Sequence, residues 1–264
     1  MPVRVLFLHG WGGNAAAMGA RVARGLGRKL PPALFELVFL DGPVDLPPLL
    51  LEAEEAAAAA AAPPGRHLAW FTYNSTPEDA ARTREDTLSP DAREYLRWPE
   101  ARAAIARAWT ARGPFDAILG FSQGAIAAHQ LLRELAHLRA LAGGAEAAAR
   151  AAGFGAEELA LLRRPPRCAV LIGGRTSCHV WPPAAGAALA IPTLHVMSAA
   201  DSRIPLALQQ QLRDACGAGA EELLHEKGHV LPAAAAHAAA VAAFLLKHAA
   251  PAEAAAGAAA ATEG

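Results

Sequence analysis

Short apolar runs recur along the chain, each closed by glycine, proline or a polar turn, and stretches of helical spacing separate them. Val3-Arg4-Val5-Leu6-Phe7-Leu8 stops at His9-Gly10-Trp11-Gly12-Gly13, which reads as a buried strand entering a glycine-rich loop. Phe35 to Leu40, closed by Asp41-Gly42-Pro43, is a second strand. Phe115 to Leu119, Cys168 to Ile172 and Pro192 to Met197 are three more, Leu68 to Tyr73 is a short one, and Glu221 to His225 is weaker. Between them the pattern predicts helices over Ala15 to Leu30 with Asn14 as cap, Leu49 to Ala62, Pro99 to Thr110, Ala125 to Ala140, and Pro232 to His248. Strands alternating with helices imply right-handed βαβ units and a mainly parallel sheet covered on both faces. No internal repeat or linker divides the chain. Residues 1–248 are therefore expected to form one domain, and the low-complexity stretch 249–264 a disordered tail.

Composition alters this picture little. Hydrophobic residues make up 53% of the 264 positions, but about a quarter of the chain is alanine, which favours helix and buries little area. Lys+Arg total 24 against 25 Asp+Glu, a formal charge of −1. Such a balance offers no electrostatic footprint for nucleic acid or an anionic membrane. The apolar run Val3 to Leu8 is too short for a signal-peptide core, and no stretch of about 20 bulky apolar residues predicts a membrane span. Cys168, Cys178 and Cys216 form no metal-ligand pattern, so they read as reduced, buried thiols of a cytoplasmic protein. Asn74-Ser75-Thr76, without a secretory signal, reads as a turn rather than a glycosylation site.

The chemistry gathers at three turns. Ser122 is the centre of Gly120-Phe121-Ser122-Gln123-Gly124, a G-x-S-x-G that follows a strand and opens a helix. That context lifts the serine hydroxyl to the carboxyl end of the sheet; the bland reading is a serine that merely caps the helix. A serine nucleophile needs a base. Among ten histidines, His67, His137, His237 and His248 read as surface residues, His195 as a satisfied core histidine, and His129 as too far along its helix to reach Ser122. His179 beside Cys178 does not make a facing dyad. His229, in the loop between the last strand and the last helix, can swing over the serine. Asp201, just beyond the strand Pro192 to Met197, is the matching acid, or else a helix cap. The order Ser122, Asp201, His229 is that of the α/β-hydrolase fold. Backbone N–H groups of Gln123 and of Trp11 are the candidate oxyanion donors. A phosphate-cradling role for the Gly10–Gly13 loop lacks both G-x-G-x-x-G and a following lysine.

These residues carry a family resemblance. Leu8-His9-Gly10, Asp41-Gly42-Pro43, Ala69-Trp70-Phe71, the block from Gly113 to Ala125, Pro192 to Val196 leading to Asp201, and Gly228-His229 with Pro232 resemble the FSH-type serine hydrolases. The resemblance spans most of residues 3 to 245. It implies an α/β-hydrolase fold with short insert or lid segments and a triad of Ser122, Asp201 and His229. It also implies hydrolysis of carboxylic esters or thioesters, often with long acyl chains and without a cofactor or metal. The expected partner is then a small acyl ester or thioester, not nucleic acid or a stably inserted membrane. The sequence departs from the family pattern at Pro43-Val44-Asp45, where a histidine is usual, and at Gly173-Gly174, where serine-glycine is usual. Trp70, Phe71, Trp98 and Val230 are candidates for the acyl pocket, with core packing the alternative for the aromatics. Two other functions share the fold: a binding protein that turns over slowly, and an acyltransferase or a hydrolase of another bond using the same triad.

Overall fold

The structure, a computed structural model, describes residues 1–46, 66–73, 94–141, 143–182 and 189–249. The strands are β1 (Val3–Leu8), β2 (Phe35–Leu40), β3 (Val44–Asp45), β4 (Leu68–Ala69), β5 (Ala117–Phe121), β6 (Cys168–Ile172), β7 (Thr193–Ser198) and β8 (Ala220–His225). The helices are α1 (Ala15–Arg24), α2 (Trp98–Arg112), α3 (Gln123–Ala140), α4 (Ala145–Ala151), α5 (Ala156–Arg163), α6 (Leu206–Cys216) and α7 (Ala235–Ala249). Six strands form one sheet in the order β2-β1-β5-β6-β7-β8, and each neighbouring pair runs parallel. β3 and β4 make a separate antiparallel pair.

Alternate residues of the buried strands feed two cores, because side chains of a strand leave the sheet on opposite faces. Val3, Val5, Phe7, Leu119, Val170, Ile172 and Val196 join Met18 and Val22 of α1 and Val241, Phe244 and Leu245 of α7. Leu6, Leu8, Ile118, Ala169 and Leu171 join α2, α3, α5 and α6 on the other face. Alanine has a use here: Ala125, Ala127 and Ala128 let α3 pack close to the sheet with no exposed surface.

The first helix is shorter than its pattern predicts. It ends at Arg24, and a single 3-10 turn over Leu26–Lys29 follows Gly25, since glycine disfavours continuation. Asn14 caps it, accepting from the Ala17 N–H at 2.8 Å. α4 and α5 occupy a stretch to which the hydrophobic pattern assigns no element. The expected strand over Leu68 to Tyr73 is confined to Leu68–Ala69, with an isolated bridge between Thr72 and Leu96. The helix expected over Leu49 to Ala62, the turn at Asn74, and the tail beyond Ala249 lie outside the described residues.

Chain order in the sheet reverses at β1: β2 lies on one side of it and β5 on the other. At such a reversal in an open parallel sheet the connections leave in opposite directions, and the crevice at the carboxyl edge is the usual ligand site.

Candidate active site

The turn after β5 is held in a conformation few residues accept. Ser122 has φ 54° and ψ −120°, a positive φ that a residue with a Cβ adopts at a cost of about 1–3 kcal/mol. Its N–H donates to the Ile172 carbonyl at 2.8 Å, and its own carbonyl accepts from Ala125 at 2.9 Å. Space around the turn is too tight for side chains at either glycine. A Cβ at Gly120 would lie 2.3 Å from the Gly124 carbonyl oxygen, and one at Gly124 would lie 2.3 Å from that of Leu8. The glycines of the motif thus allow close backbone approach, and the serine itself carries the strained angle.

Ser122, Asp201 and His229 come together from the ends of β5, β7 and β8. His229 Nε2 lies 2.8 Å from Ser122 Oγ, and His229 Nδ1 lies 2.7 Å from Asp201 Oδ2. An ionised carboxylate only accepts, so Nδ1 carries the proton and Nε2 is left to accept from the serine hydroxyl. Burial alone would raise the Asp201 carboxyl. Hydrogen bonds from His229 and from the N–H groups of Ile204 and Arg203, both at 2.9 Å to Oδ1, outweigh it and hold the group below its usual range.

Two residues that sequence reasoning passed over brace this arrangement. Gln209, buried on α6, donates to the Ile204 carbonyl at 2.6 Å and to Asp201 Oδ2 at 3.4 Å, and accepts from the Ser198 N–H at 3.2 Å. Ser198 Oγ accepts from Ala200 and from Gly228, each at 3.2 Å, and so ties the acid's turn to the histidine's loop. Phe121 packs its ring against His229 at 5.1 Å. Gly173, at φ +56°, passes beneath the imidazole; a Cβ there would lie 3.3 Å from His229 Nδ1.

The loop after β1 supplies the other wall. The Gly10 carbonyl accepts from the Gly13 N–H at 3.0 Å and lies 2.7 Å from His9 Nδ1. Gly42 N–H donates to His9 Nε2 at 2.9 Å, so the proton sits on Nδ1 and the ring is neutral. Burial, which lowers the His9 pKa, keeps it so. Gly10 abuts Ser122: a Cβ added there would lie 3.1 Å from the serine Cβ. Among the described residues, the N–H groups of Trp11 and Gln123 are donated to no protein acceptor.

The remaining sequence candidates are distributed differently. Trp70 and Phe71 are fully buried, and Trp98 is buried with its indole donating to Glu134 at 2.5 Å. All three therefore sit in the core, the alternative left open for them. Val230 is exposed beside His229. His129 is buried, accepts from the Ser177 N–H at 3.0 Å, and burial lowers its pKa to about 3. His195 is a core histidine but an incompletely satisfied one. Its Nε2 meets Thr193 Oγ1 at 2.9 Å while Nδ1 has no partner. All three cysteines are free and buried. Among the described residues no group of three or more His, Cys, Asp or Glu is placed to hold a metal, and no helix is long and apolar enough to cross a membrane.

A serine, an imidazole and an ionised carboxylate in one line, beside N–H donors without a protein acceptor among the described residues, can deprotonate a hydroxyl and receive a developing oxyanion. Known proteins resemble this chain accordingly. A family profile described as "Serine hydrolase (FSH1)" matches residues 1–241. "Esterase OVCA2" of Mus musculus is 29% identical over 245 residues, covering 92% of this chain and 95% of its own. "Esterase CG5412" of Drosophila melanogaster is 30% identical over 234 residues, 88% of this chain and 70% of its own. The crystal structure of Zea mays acyl-protein thioesterase 2 shares the fold, with a TM-score of 0.56 at 16% identity over 94% of each chain. The parallel sheet with helices on both faces is an α/β-hydrolase fold.

Proposed function

The chain belongs to the FSH1 family of serine hydrolases, and we propose that, as an enzyme of that family, it cleaves carboxylic esters or thioesters through an acyl-enzyme on Ser122. The observation that carries this reading is the continuous hydrogen-bonded line from Ser122 Oγ through His229 to Asp201, at 2.8 and 2.7 Å.

In this mechanism His229 Nε2 takes the Ser122 proton as Oγ attacks the acyl carbon. Asp201 fixes the tautomer and stabilises the imidazolium. The N–H groups of Gln123 and Trp11 receive the oxyanion of the tetrahedral intermediate, helped by the positive N-terminal end of α3. His229 then returns the proton to the leaving alcohol or thiol. Water repeats the cycle in reverse, releasing the acid and restoring Ser122. The reading assigns catalysis to residues 1–248 as one domain and takes medium or long acyl chains as substrates. Free, buried thiols suit a reducing compartment, so the enzyme is assigned to the cytoplasm.

A panel of p-nitrophenyl esters and acyl-CoA thioesters of rising chain length, with Ser122→Ala as control, tests this. Turnover should climb with chain length and fall by about 10³-fold or more in the variant. Background rates on every member would instead leave a binding protein. Transfer of the acyl group to an added alcohol in preference to water would mark an acyltransferase.

A further inference from the structure

Trp70 lies in a strip, Leu68 to Phe71, that meets the loops after β1 and β2 and the side chain of Gln123. The Leu68 N–H donates to the Gly13 carbonyl at 3.0 Å. The Asp41-Gly42 turn packs on the same strip, since a Cβ at Gly42 would lie 2.5 Å from the Ala69 carbonyl oxygen. The Gln123 carboxamide grips the strip at two points. Its Oε1 accepts from the Trp70 N–H at 3.0 Å, and its Nε2 donates to the Phe71 carbonyl at 2.9 Å. Finally the Trp70 indole N–H donates to the His9 carbonyl at 2.8 Å, and the His9 ring lies 5.1 Å from the indole.

From this arrangement we infer that Trp70 is a positioning residue for the oxyanion hole. The inference rests on the reading of Ser122 as an acylated nucleophile. The two candidate donors belong to different loops, Trp11 after β1 and Gln123 after β5, and the pairing of β1 with β5 ends at Leu8 and Gly120, before either N–H group. Trp70 bridges them: one end is fixed by the side chain of Gln123, and the other holds the carbonyl two residues before Trp11. Trp70 holds the His9 carbonyl, and the Gly13 N–H holds the Gly10 carbonyl, which shares a peptide plane with the Trp11 N–H; with both planes held, that N–H cannot turn away from the crevice. With no exposed surface at Trp70 and almost none at Gln123, water does not compete for these bonds. The strip lies between β3 and α2 in the chain, so residues 68–71 of that connection have a role in the chemistry.

The indole bond is removed by Trp70→Phe, which keeps an aromatic ring in place. Gln123→Met removes both carboxamide bonds at nearly constant volume while leaving the Gln123 main-chain N–H. For each, kcat and KM are measured on a short p-nitrophenyl ester. Two affinities accompany them: one for a trifluoromethyl ketone, which forms the tetrahedral adduct, and one for the alcohol of the same chain, which does not. Misplacing an oxyanion donor by a fraction of an ångström to one ångström should lower kcat about 10–100-fold. KM and alcohol affinity should hold within about twofold, and ketone affinity should fall in parallel with kcat. Wild-type kcat and ketone affinity in a folded variant would overturn the inference. An equal loss of alcohol and ketone affinity would do so too, marking Trp70 as pocket wall. If Trp70→Phe does not fold, Gln123→Met decides. The parent reading fails separately, through retained activity in Ser122→Ala.

Discussion

Asp201 shows most clearly how little of a residue's setting is visible in its neighbours along the chain. The carboxylate accepts three hydrogen bonds at 2.7 to 2.9 Å, two of them from its own turn and one from a histidine 28 residues away. Together they overcome burial and keep the group ionised at pH values where a free aspartate begins to protonate. A carboxyl with a depressed pKa stabilises the fold at any pH above its unfolded value and loses that contribution only as pH falls through the lower folded value. Asp201→Asn should therefore give up that contribution and lower the melting temperature at neutral pH, and it should lower kcat by about 10⁴-fold, because an amide favours the wrong imidazole tautomer. Steady-state kinetics beside a thermal melt check this; unchanged kcat would remove Asp201 from the triad role. Ser122 and His229 were legible because glycine and proline punctuate the turns that hold them. Gln209 and Ser198 were not. Each lies inside a regular element, and only the fold brings α6 under the acid and β7 beside the Gly228 loop.

Among elements, the packing of α2, α3 and α5 depends on a buried polar cluster. Glu134 of α3 accepts from Trp98 at 2.5 Å, from Gln130 at 2.8 Å and from Arg102 at 3.3 Å. Arg102 also reaches Glu158 of α5 at 2.6 Å and lies 3.8 Å over the Phe154 ring. Burial pushes the Glu134 carboxyl up to about 7, against the pull of Arg102 and the hydrogen bonds. An acid whose folded pKa is raised binds its proton more tightly when folded, so stability falls as pH rises from the unfolded value towards 7. The shift corresponds to at most about 3 kcal/mol across that window. Glu134→Gln keeps a neutral acceptor for Trp98 and should flatten the dependence. Urea midpoints at pH 5, 6 and 8 measure it, and parallel slopes in both proteins would contradict the assignment. None of this was legible beforehand. Nothing along the chain marks Arg102, Glu134 and Glu158 as partners, and the short helices after α3 escaped the pattern because alanine blurs the distinction between faces. Strands fared better: β2 and β6 match their apolar runs residue for residue, and β5 and β7 are displaced by one or two.

Over the whole molecule, alternation of strand and helix predicts a parallel sheet but not which strand lies beside which. The reversal at β1 is a long-range choice, and it sets the loops of β1 and β5 at the edge where open parallel sheets bind their ligands. Ser122, Asp201 and His229 then arrive from three strands at the same edge, while alanine fills the helices that cover both faces. Near-neutral charge suits an uncharged acyl substrate, which requires no electrostatic steering. The account stands on one covalent event. Rapid-quench mass spectrometry of the enzyme turning over a p-nitrophenyl ester should reveal a population heavier by one acyl group in place of a hydrogen. That adduct should map to the peptide bearing Ser122 and be absent from Ser122→Ala. Steady turnover with no adduct at any quench time, or an acyl group on another residue that persists in Ser122→Ala, would contradict it.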